Sequence, residues 1–394
     1  MPWKELCVMD QKVQMIGDWT TGEYSITELG QIYCVSRKTI YKWIERYGEN
    51  GAGGLDDLSR APVGRPNVIP SEIVEELIAA KMKHQKWGPK KIVAWLGQQS
   101  NQYQIPAVST VGEILRRAGL VRHRRRKHRT PPYTEPFIAC QKPNEVWSCD
   151  YKGHFATRDC KPCYPLTITD NNSRYLLQCR ALYRPTYEET RPWFEWTFRE
   201  YGLPLAMRSD NGIPFASVSL GGLTRLSVWF IKLGIRPERI DPGHPEQNGR
   251  HERMHRSLKE ATAKPPKETL QAQQNAFDEF VEEYNFQRPH EALGQMPPAS
   301  IYRPSTRVFP AKLPKVEYDG NVKVRHVHTN GEIKWKGGHI FISETLVGES
   351  VALQQIDENR WELRYSFHKL GILDETTGKV QPGTNKKVLP MCPV

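Results

Sequence analysis

The sequence predicts a multidomain chain of α and β class. Small helical units stand at the N-terminus, an α/β layer core with a mixed sheet flanked by helices follows, and a small β-barrel closes the chain. Three observations carry this. Apolar residues recur at helical spacing in the first 120 residues, as at Ile40, Trp43, Ile44 and Tyr47. From residue 145 the pattern changes to short alternating runs separated by turns, and then to longer helical stretches. After residue 305 the alternation returns. Two stretches rich in Pro and Gly or Pro alone, 49–70 and 130–144, read as linkers. The expected domains are 1–62 and 63–130, each a helical unit, then the core at 131–303 and the barrel at 304–394.

Composition narrows the function classes. Hydrophobic residues make up 38% of the 394 and aromatics 10%, so the chain is globular rather than disordered. No apolar run approaches the roughly 20 residues of a membrane span, and MPWKELCVMD has no apolar signal core, so an intracellular, cytoplasmic protein is expected. Eight Cys are scattered, with Cys160 and Cys163 the one close pair. A single CxxC beside His154 alone is a turn with two free thiols before it is a zinc site. The net charge of +12 calls for a polyanion partner, usually nucleic acid. No basic amphipathic helix or lipidation signal points to a membrane instead.

The elements follow in order. Ser25-Ile-Thr-Glu28 is a capping box opening a short helix that ends near Tyr33. Cys34-Val35 makes a tight turn, Ser36 caps a second helix over 37–47, and Gly48 follows as its C-cap. Arg37, Lys38, Tyr41 and Lys42 are left on its outer face. Two short helices with a basic second one resemble a helix-turn-helix, and a face of this kind contacts DNA. A second such unit has helices from Ser71 to Gln85, from Pro89 with Ile92, Val93, Trp95 and Leu96, and over 109–120. Trp87 and Trp95 are expected to pack it. Next comes 122-RHRRRKHR-129, in which Arg122, Arg124, Arg125, Arg126, Lys127 and Arg129 suit phosphate contact, which adds salt-dependent affinity and no sequence readout.

Strands are predicted at 146–151, 164–170 and 175–182, joined by turns short enough for an antiparallel meander. A helix over 186–201, with Trp193, Phe194 and Trp196 as core, leads to a fourth strand at 205–210, and helices fill 220–234, 250–262 and 270–287. Further on, strands are expected near 322–327, 333–335, 339–342, 350–353 and 360–365, with a tight hairpin at Asn330-Gly331. His326 and His328 alternate on the first of these strands and read as surface or DNA-facing residues.

Three acids stand where strand ends or a loop-to-helix junction present them: Asp150 in WSCDYKG, Asp210 in RSDNGIPF and Glu252 in PEQNGRHERMH. Singly they are weak. Asp-Asn-Gly is by default a turn, and an acid early in a helix is favoured by the macrodipole. Asp within a strand is the oddest, since strands are depleted of it. Together they are a hard oxygen donor set for Mg²⁺ or Mn²⁺, and two such ions support in-line displacement at phosphorus. On a basic protein the phosphate belongs to nucleic acid.

The ordered pattern Asp150 … Asp210-Asn-Gly-x-x-Phe215 … Pro245-x-x-Asn248-Gly249-x-x-Glu252 resembles the D,D,E core of the retroviral-integrase superfamily. The segments 252-ERMHRSLK-259 and 284-YNFQRPHEALGQMPPASIY-302 are similar to insertion-sequence transposases of that superfamily. The close resemblance covers 143–303, and the order of two helix-turn-helix units, core and β-barrel extends it. It implies a ribonuclease-H-like core and a transposase that binds its element's terminal inverted repeats, cleaves 3′ ends and transfers strands. Asp150, Asp210 and Glu252 would be the catalytic residues and the ligands of two Mg or Mn ions. The His and Arg around Glu252, including Arg256, would face DNA. Lys259, two turns along the helix, would lie near the phosphates of the bound end, and Asn248 near the target strand. Double-stranded DNA and a homo-oligomer, at least a dimer, are the implied partners, and a nucleoid-associated, bacterial-type location is implied with them.

The sequence also departs from the family. Between Asp210 and Glu252 lie 41 residues (252 − 210 − 1), more than is usual, and the extra length falls in 216-ASVSLGGLTRLSVWF-230. Glu246 fits the usual spacing by count, but Glu252 follows the Asn-Gly-x-x pattern and starts the helix carrying Lys259. The N-terminus lacks the His/Cys zinc pattern of retroviral integrases. Two competing readings keep the fold: an inactive end-binding regulator, which loses all metal chemistry, and a structure-specific nuclease, which cuts without joining.

Overall fold

The computed structural model describes residues 7–59, 69–99, 104–121, 140–217, 219–241, 245–320 and 322–382. Two compact units divide at Pro70. The first holds α1 (Val8–Thr21), α2 (Ile26–Ile32) and α3 (Arg37–Asn50). Ser25 and Glu28 cap α2 reciprocally: the Glu28 N–H donates to Ser25 Oγ (3.3 Å), and the Ser25 N–H to Glu28 Oε2 (2.8 Å). The turn at Cys34 takes a left-handed φ of 54°, and Ser36 Oγ accepts from the Thr39 N–H to start α3. α3 runs past Gly48 and stops at Gly51, whose φ of 58° suits glycine. Met15, Ile16, Leu29, Ile40, Trp43 and Leu55 form this unit's core, whereas Tyr47, expected on the same face, is exposed.

The second unit begins with α4 (Ser71–Lys83), α5 (Pro89–Gln99) and α6 (Val108–Arg117). His84 stacks on Trp87 at 3.8 Å and meets the edge of Trp95, so the two tryptophans pack this unit as expected. The basic run with Arg122, Arg124, Arg125, Arg126, Lys127 and Arg129 lies outside the described residues.

The core is built on β1 (Val146–Tyr151), β2 (Phe155–Ala156), β3 (Pro162–Asp170), β4 (Leu176–Leu182), β5 (Ala206–Ser209) and β6 (Arg236–Arg239). β3 lies antiparallel between β1 and β4, while β1, β5 and β6 run parallel, and β2 pairs with the start of β3. The meander and the parallel return match the sequence pattern. β6 was not anticipated, because Arg-Pro-Glu-Arg carries no apolar alternation and its proline suits an edge strand. Helices cover both faces. On one, α7 (Tyr187–Tyr201) and α8 (Arg225–Lys232) bury Trp147, Cys149, Leu166, Ile168, Phe194, Phe198 and Phe230. On the other, α9 (Gly249–Thr262) and α10 (Leu270–Glu282) pack Met254, Leu258, Phe277 and Phe280 on Leu176 and Cys179. Alternation along each strand sorts its side chains between these two layers. Trp196, expected in the core, is 47% exposed on α7.

The expected C-terminal barrel is an open sheet. β7 (Lys323–His326), β10 (Ser350–Gln355), β11 (Arg360–Tyr365), β12 (His368–Asp374) and β13 (Lys379–Pro382) pair antiparallel in the order β13-β12-β11-β10-β7, and β8 (Glu332–Trp335) with β9 (Gly338–Phe341) forms a separate hairpin. Among the described residues no ladder joins β13 back to β7. Closure is unnecessary because the apolar face is covered otherwise: Ile333 and Trp335 of the hairpin, with Leu223, Val228 and Ile231 of the core, pack on Val351, Leu353, Trp361, Leu363 and Leu373. Asn330-Gly331 is a turn that leads into the hairpin, and the hairpin's own two-residue turn is Lys336-Gly337, both at positive φ. His326 and His328 are exposed on either side of the buried Val327. Among the described residues no helix is long and apolar enough to cross a membrane.

Candidate active site

β1 and β5 are parallel neighbours, with Cys149 opposite Ser209. The next residue out on each is Asp150 and Asp210, so the two carboxylates stand side by side on one face at the sheet's C-terminal edge. Open α/β sheets bind ligands at such an edge. Asp210 is fixed by its own turn: its Oδ1 accepts from the Gly212 N–H at 3.1 Å, and Asn211 Nδ2 donates to the Ile240 carbonyl at 2.7 Å. Burial, then the Asp210 carboxylate, holds Asp150 well above the usual carboxylate range, and Glu252 adds a smaller repulsion. Burial also raises Asp210 against the hydrogen bond from Gly212. A pair of carboxylates that resist carrying charge together is the environment a divalent cation relieves, so the donor set fits a hard ion.

Glu252 lies in the first turn of α9, and the helix phase explains its exposure. His251, Met254, His255, Leu258 and Thr262 point to the sheet, whereas Glu252, Arg253, Arg256 and Lys259 are exposed. Glu252 therefore stands at the rim, near enough to Asp150 to act on its charge, with Arg256 and Lys259 following it along the helix. Asn248 differs from expectation. It is 5% exposed at the N-cap of α9, beside Gln247, which clamps the Asp241 backbone and side chain at 2.7 and 2.9 Å. Glu246 lies in the turn Pro245–Asn248, and its side chain is outside the described residues.

The histidines of α9 correct an expectation. His251 and His255 do not face solvent, where DNA would be, but are 1% and 2% exposed beneath the helix. Their Nε2 atoms meet Thr167 Oγ1 at 2.7 and 2.6 Å, and His251 Nδ1 meets Thr169 Oγ1 at 3.0 Å. Thr167 sits directly opposite Asp150 in the β1–β3 ladder. Burial, then Lys152, pushes His251 down to about 3, and burial, then His251 and Lys152, pushes His255 well below its usual value. Asp150, His251 and His255 bring donor atoms within 4.8 Å of one another. A helical stripe of His251, Met254, His255 and Leu258 was present in the sequence as the signal for this burial.

Lys152 was also missed. It follows Asp150 by two residues and lines a depression with His154, Phe155 and Lys259, giving the rim a further cation. On α3, Arg37, Lys38, Tyr41 and Lys42 are all exposed, with the Lys42 ammonium 5.1 Å from the centre of the Trp43 ring. Cys160 is exposed and Cys163 buried, both as free thiols.

Residues 141–245 and 233–298 each match a family described as "Integrase core domain". Residues 11–62 match "Helix-turn-helix domain" and 39–115 "Homeodomain-like domain". The insertion element IS476 uncharacterized 39.2 kDa protein of Xanthomonas euvesicatoria is 25% identical over 276 residues, 67% of this chain and 76% of that one. The insertion element IS407 uncharacterized 31.7 kDa protein of Burkholderia multivorans is 27% identical over 190 residues, 48% of this chain and 66% of that one. Among solved structures, the trimeric form of the HTLV-2 integrase catalytic core domain in complex with magnesium aligns at 19% identity and a TM-score of 0.33, covering 41% of this chain and 98% of that one. The N-terminal helix-turn-helix domains and the ribonuclease-H-like integrase core, with its mixed sheet between helices, are those of a polynucleotidyl transferase. Residues 141–298 match the integrase core, and together with the insertion-element relatives they support an insertion-sequence transposase of the retroviral-integrase superfamily.

Proposed function

We propose that this protein binds the terminal inverted repeats of its element, cuts their 3′ ends and joins them to target DNA. The observation that carries this is the meeting of two carboxylates, Asp150 and Asp210, at the ends of adjacent parallel strands, with Glu252 close enough to add to the repulsion at Asp150. These three would hold two Mg²⁺ or Mn²⁺ ions. When bound, such a pair activates an attacking oxygen and stabilises a leaving one. The chain's own residues position the DNA. Arg256, Lys259 and Lys152 flank the carboxylates and take phosphates, while Arg37, Lys38, Tyr41 and Lys42, with the basic run at 122–129, hold the element end. Asn248, though buried, stands at the N-cap of α9 next to the turn that carries Glu252, and that place assigns it to the target strand.

In cutting, a water oxygen bonds to phosphorus and the P–O3′ bond breaks, leaving a 3′-hydroxyl. In joining, that hydroxyl bonds to a target phosphorus and the target's 3′ oxygen leaves. Each step makes one P–O bond and breaks one, and no side chain becomes the nucleophile. Two ends need two sites, so the working form is at least a dimer. We assign 1–62 and 63–130 to end binding, 131–303 to chemistry and 304–394 to support of the core, in a protein acting on the bacterial nucleoid.

The test is strand transfer with the DNA that flanks the gene, labelled ends, a target plasmid and Mg²⁺ or Mn²⁺. Glu252→Gln should cut joining by at least about a hundredfold, beyond the 10–100-fold typical of residues outside the ligand set. Loss in Glu246→Gln with Glu252→Gln active would reassign the third acid. Cutting without joining would make the protein a nuclease, and end binding without either a regulator.

A further inference from the structure

We propose that His255 is a positioning residue for Asp150, held in one tautomer by a buried relay running Thr169–His251–Thr167–His255; this rests on the transposase reading for its consequence, not for its geometry. Four contacts define the chain. Thr169 Oγ1 lies 3.0 Å from His251 Nδ1, His251 Nε2 lies 2.7 Å from Thr167 Oγ1, Thr167 Oγ1 lies 2.6 Å from His255 Nε2, and His255 Nδ1 faces Asp150 Oδ2 at 3.6 Å. The last is longer than a hydrogen bond and short enough for a dipole to act on a charge.

The proton count selects the tautomers. Thr167 has one hydroxyl proton and three neighbours: His251 Nε2, His255 Nε2 and, at 3.1 Å, the Asp150 carbonyl. If it donates to that carbonyl, both imidazoles must donate to Thr167 through Nε2. His255 then turns a lone pair toward the Asp150 carboxylate, which is repulsive. If it donates to His255 Nε2, His251 donates to Thr167 and accepts from Thr169. His255 then carries its proton on Nδ1 and aims it at Asp150 Oδ2. Donation to His251 Nε2 would again leave a lone pair of His255 Nδ1 facing Asp150, so only the second arrangement aims an N–H at Oδ2. It gives three of the four ring nitrogens a hydrogen-bond partner and points the fourth, His255 Nδ1, at Asp150 Oδ2.

The alternative for the same atoms is a metal centre of Asp150, His251 and His255. The ring nitrogens argue against it. Three of the four are already within hydrogen-bond distance of threonine hydroxyls, and the fourth is the one facing Asp150. An ion would have to break the relay to enter. The relay sits behind Asp150 on the α9 side and restrains Oδ2, leaving Oδ1 to work with Asp210 and Glu252. Groups that orient a ligand in this manner change metal affinity or activity by about 10–100-fold when removed.

The experiment exploits the shape of the imidazole. Asn places an amide nitrogen where Nδ1 stands, whereas Gln places one where Nε2 stands. Mn²⁺ affinity of the full-length protein without DNA, read by water-proton relaxation, should stay close to wild type in His255→Asn. It should fall by about 10–100-fold in His255→Gln and His255→Leu. Thr167→Val keeps the strand's shape and removes the hydroxyl that sets the tautomer, and it should weaken Mn²⁺ in the same direction. Strand-transfer half-saturation in Mn²⁺ should follow the same order. Thermal unfolding of each variant separates folding from positioning.

Gln retaining affinity while Asn loses it, or Leu matching wild type, overturns the proposal. So does a tight Zn²⁺ site that survives Asp210→Asn and vanishes in His251→Asn, which would mark a metal centre instead. A wild-type protein that never joins ends would sink the transposase reading, yet the Mn²⁺ order would still decide the relay.

Discussion

Gly212 shows how a single residue shapes the site. A Cβ built on it would stand 2.9 Å from Asp210 Oδ2 and 3.4 Å from Oδ1. Its φ is not left-handed, so alanine fits the backbone, and the strain would fall on the Asp210 carboxylate alone. Gly212→Ala should therefore lower strand transfer by about 10–100-fold, as displaced outer groups do, with little change in the thermal midpoint. Full activity with Asp210 undisturbed would show that the carboxylate turns aside at no cost. At this scale the sequence was informative where chemistry and geometry coincide. Asp150 stood out because acids are unusual within strands and Asp210 because it completes the ordered acid pattern, and parallel pairing then brings them together. His251 and His255 were misplaced because their charge type was weighed above their spacing. Read by helix phase, they fall on the stripe of Met254 and Leu258, and burial makes them neutral partners of Thr167 rather than cations for DNA.

Among the elements, α8 lies in the stretch between Asp210 and Glu252 and faces two ways. Leu226, Trp229 and Phe230 enter the core beside Phe194 and Phe198, while Val228 and Ile231 enter the C-terminal cluster with Leu223. One helix thus serves two cores. Arg239 and His368 both reach the Gly221 carbonyl, at 3.2 Å each, and Lys232 pairs with Glu349, so polar contacts frame the apolar joint. Ile231 is 2% exposed, and Ile231→Ala should cost about 2–5 kcal/mol. Because Ile231 touches the C-terminal cluster, amide hydrogen exchange should quicken in β10, β11 and β12 and change little in β1 and β5. A uniform increase across both sheets would mean that the two cores open as one. The sequence predicted a helix here but not that it serves two cores, since an apolar helix looks the same whether one face or two are covered. The barrel was overread for a related reason. Alternating strands announce a sheet with one apolar face, and nothing in alternation says whether that face closes on itself or on a neighbouring helix.

At the scale of the second unit, the helical module α4–α6 is joined to the segment closing the core by polar contacts. His84 Nδ1 meets Glu283 Oε1 at 3.3 Å, Lys90 meets Glu291 at 3.1 Å, and Gln98 Nε2 donates to the Gln295 carbonyl at 3.3 Å. Lys91 lies within this joint. Burial, then Arg288, pushes it down to about 7, against the attraction of Glu283 and Glu291. In the unfolded chain the same lysine titrates near 10.5. Between these values the unfolded state holds more protons, so stability rises with pH from about 7 toward 10.5, by at most about 1.4 kcal/mol per unit. Below 7 both states hold the proton and the unfavourable contribution is constant. His84 acts in the same sense lower down. Burial first lowers it, Glu283 opposes, and stability falls as pH drops through its unfolded value near 6.5. Other groups also titrate above pH 8, so the informative quantity is a difference between proteins. Lys91→Met keeps the stem's packing and removes the charge. Relative to wild type it should be more stable at pH 7, and the gap should narrow by pH 9 as wild type sheds its proton. Urea midpoints of both proteins at pH 7, 8 and 9 measure this. A gap that does not change with pH would mean that Lys91 stays charged in the joint, held by Glu283 and Glu291. The helical module and the core would then be fastened by an ion pair that salt can loosen, rather than by a buried stem.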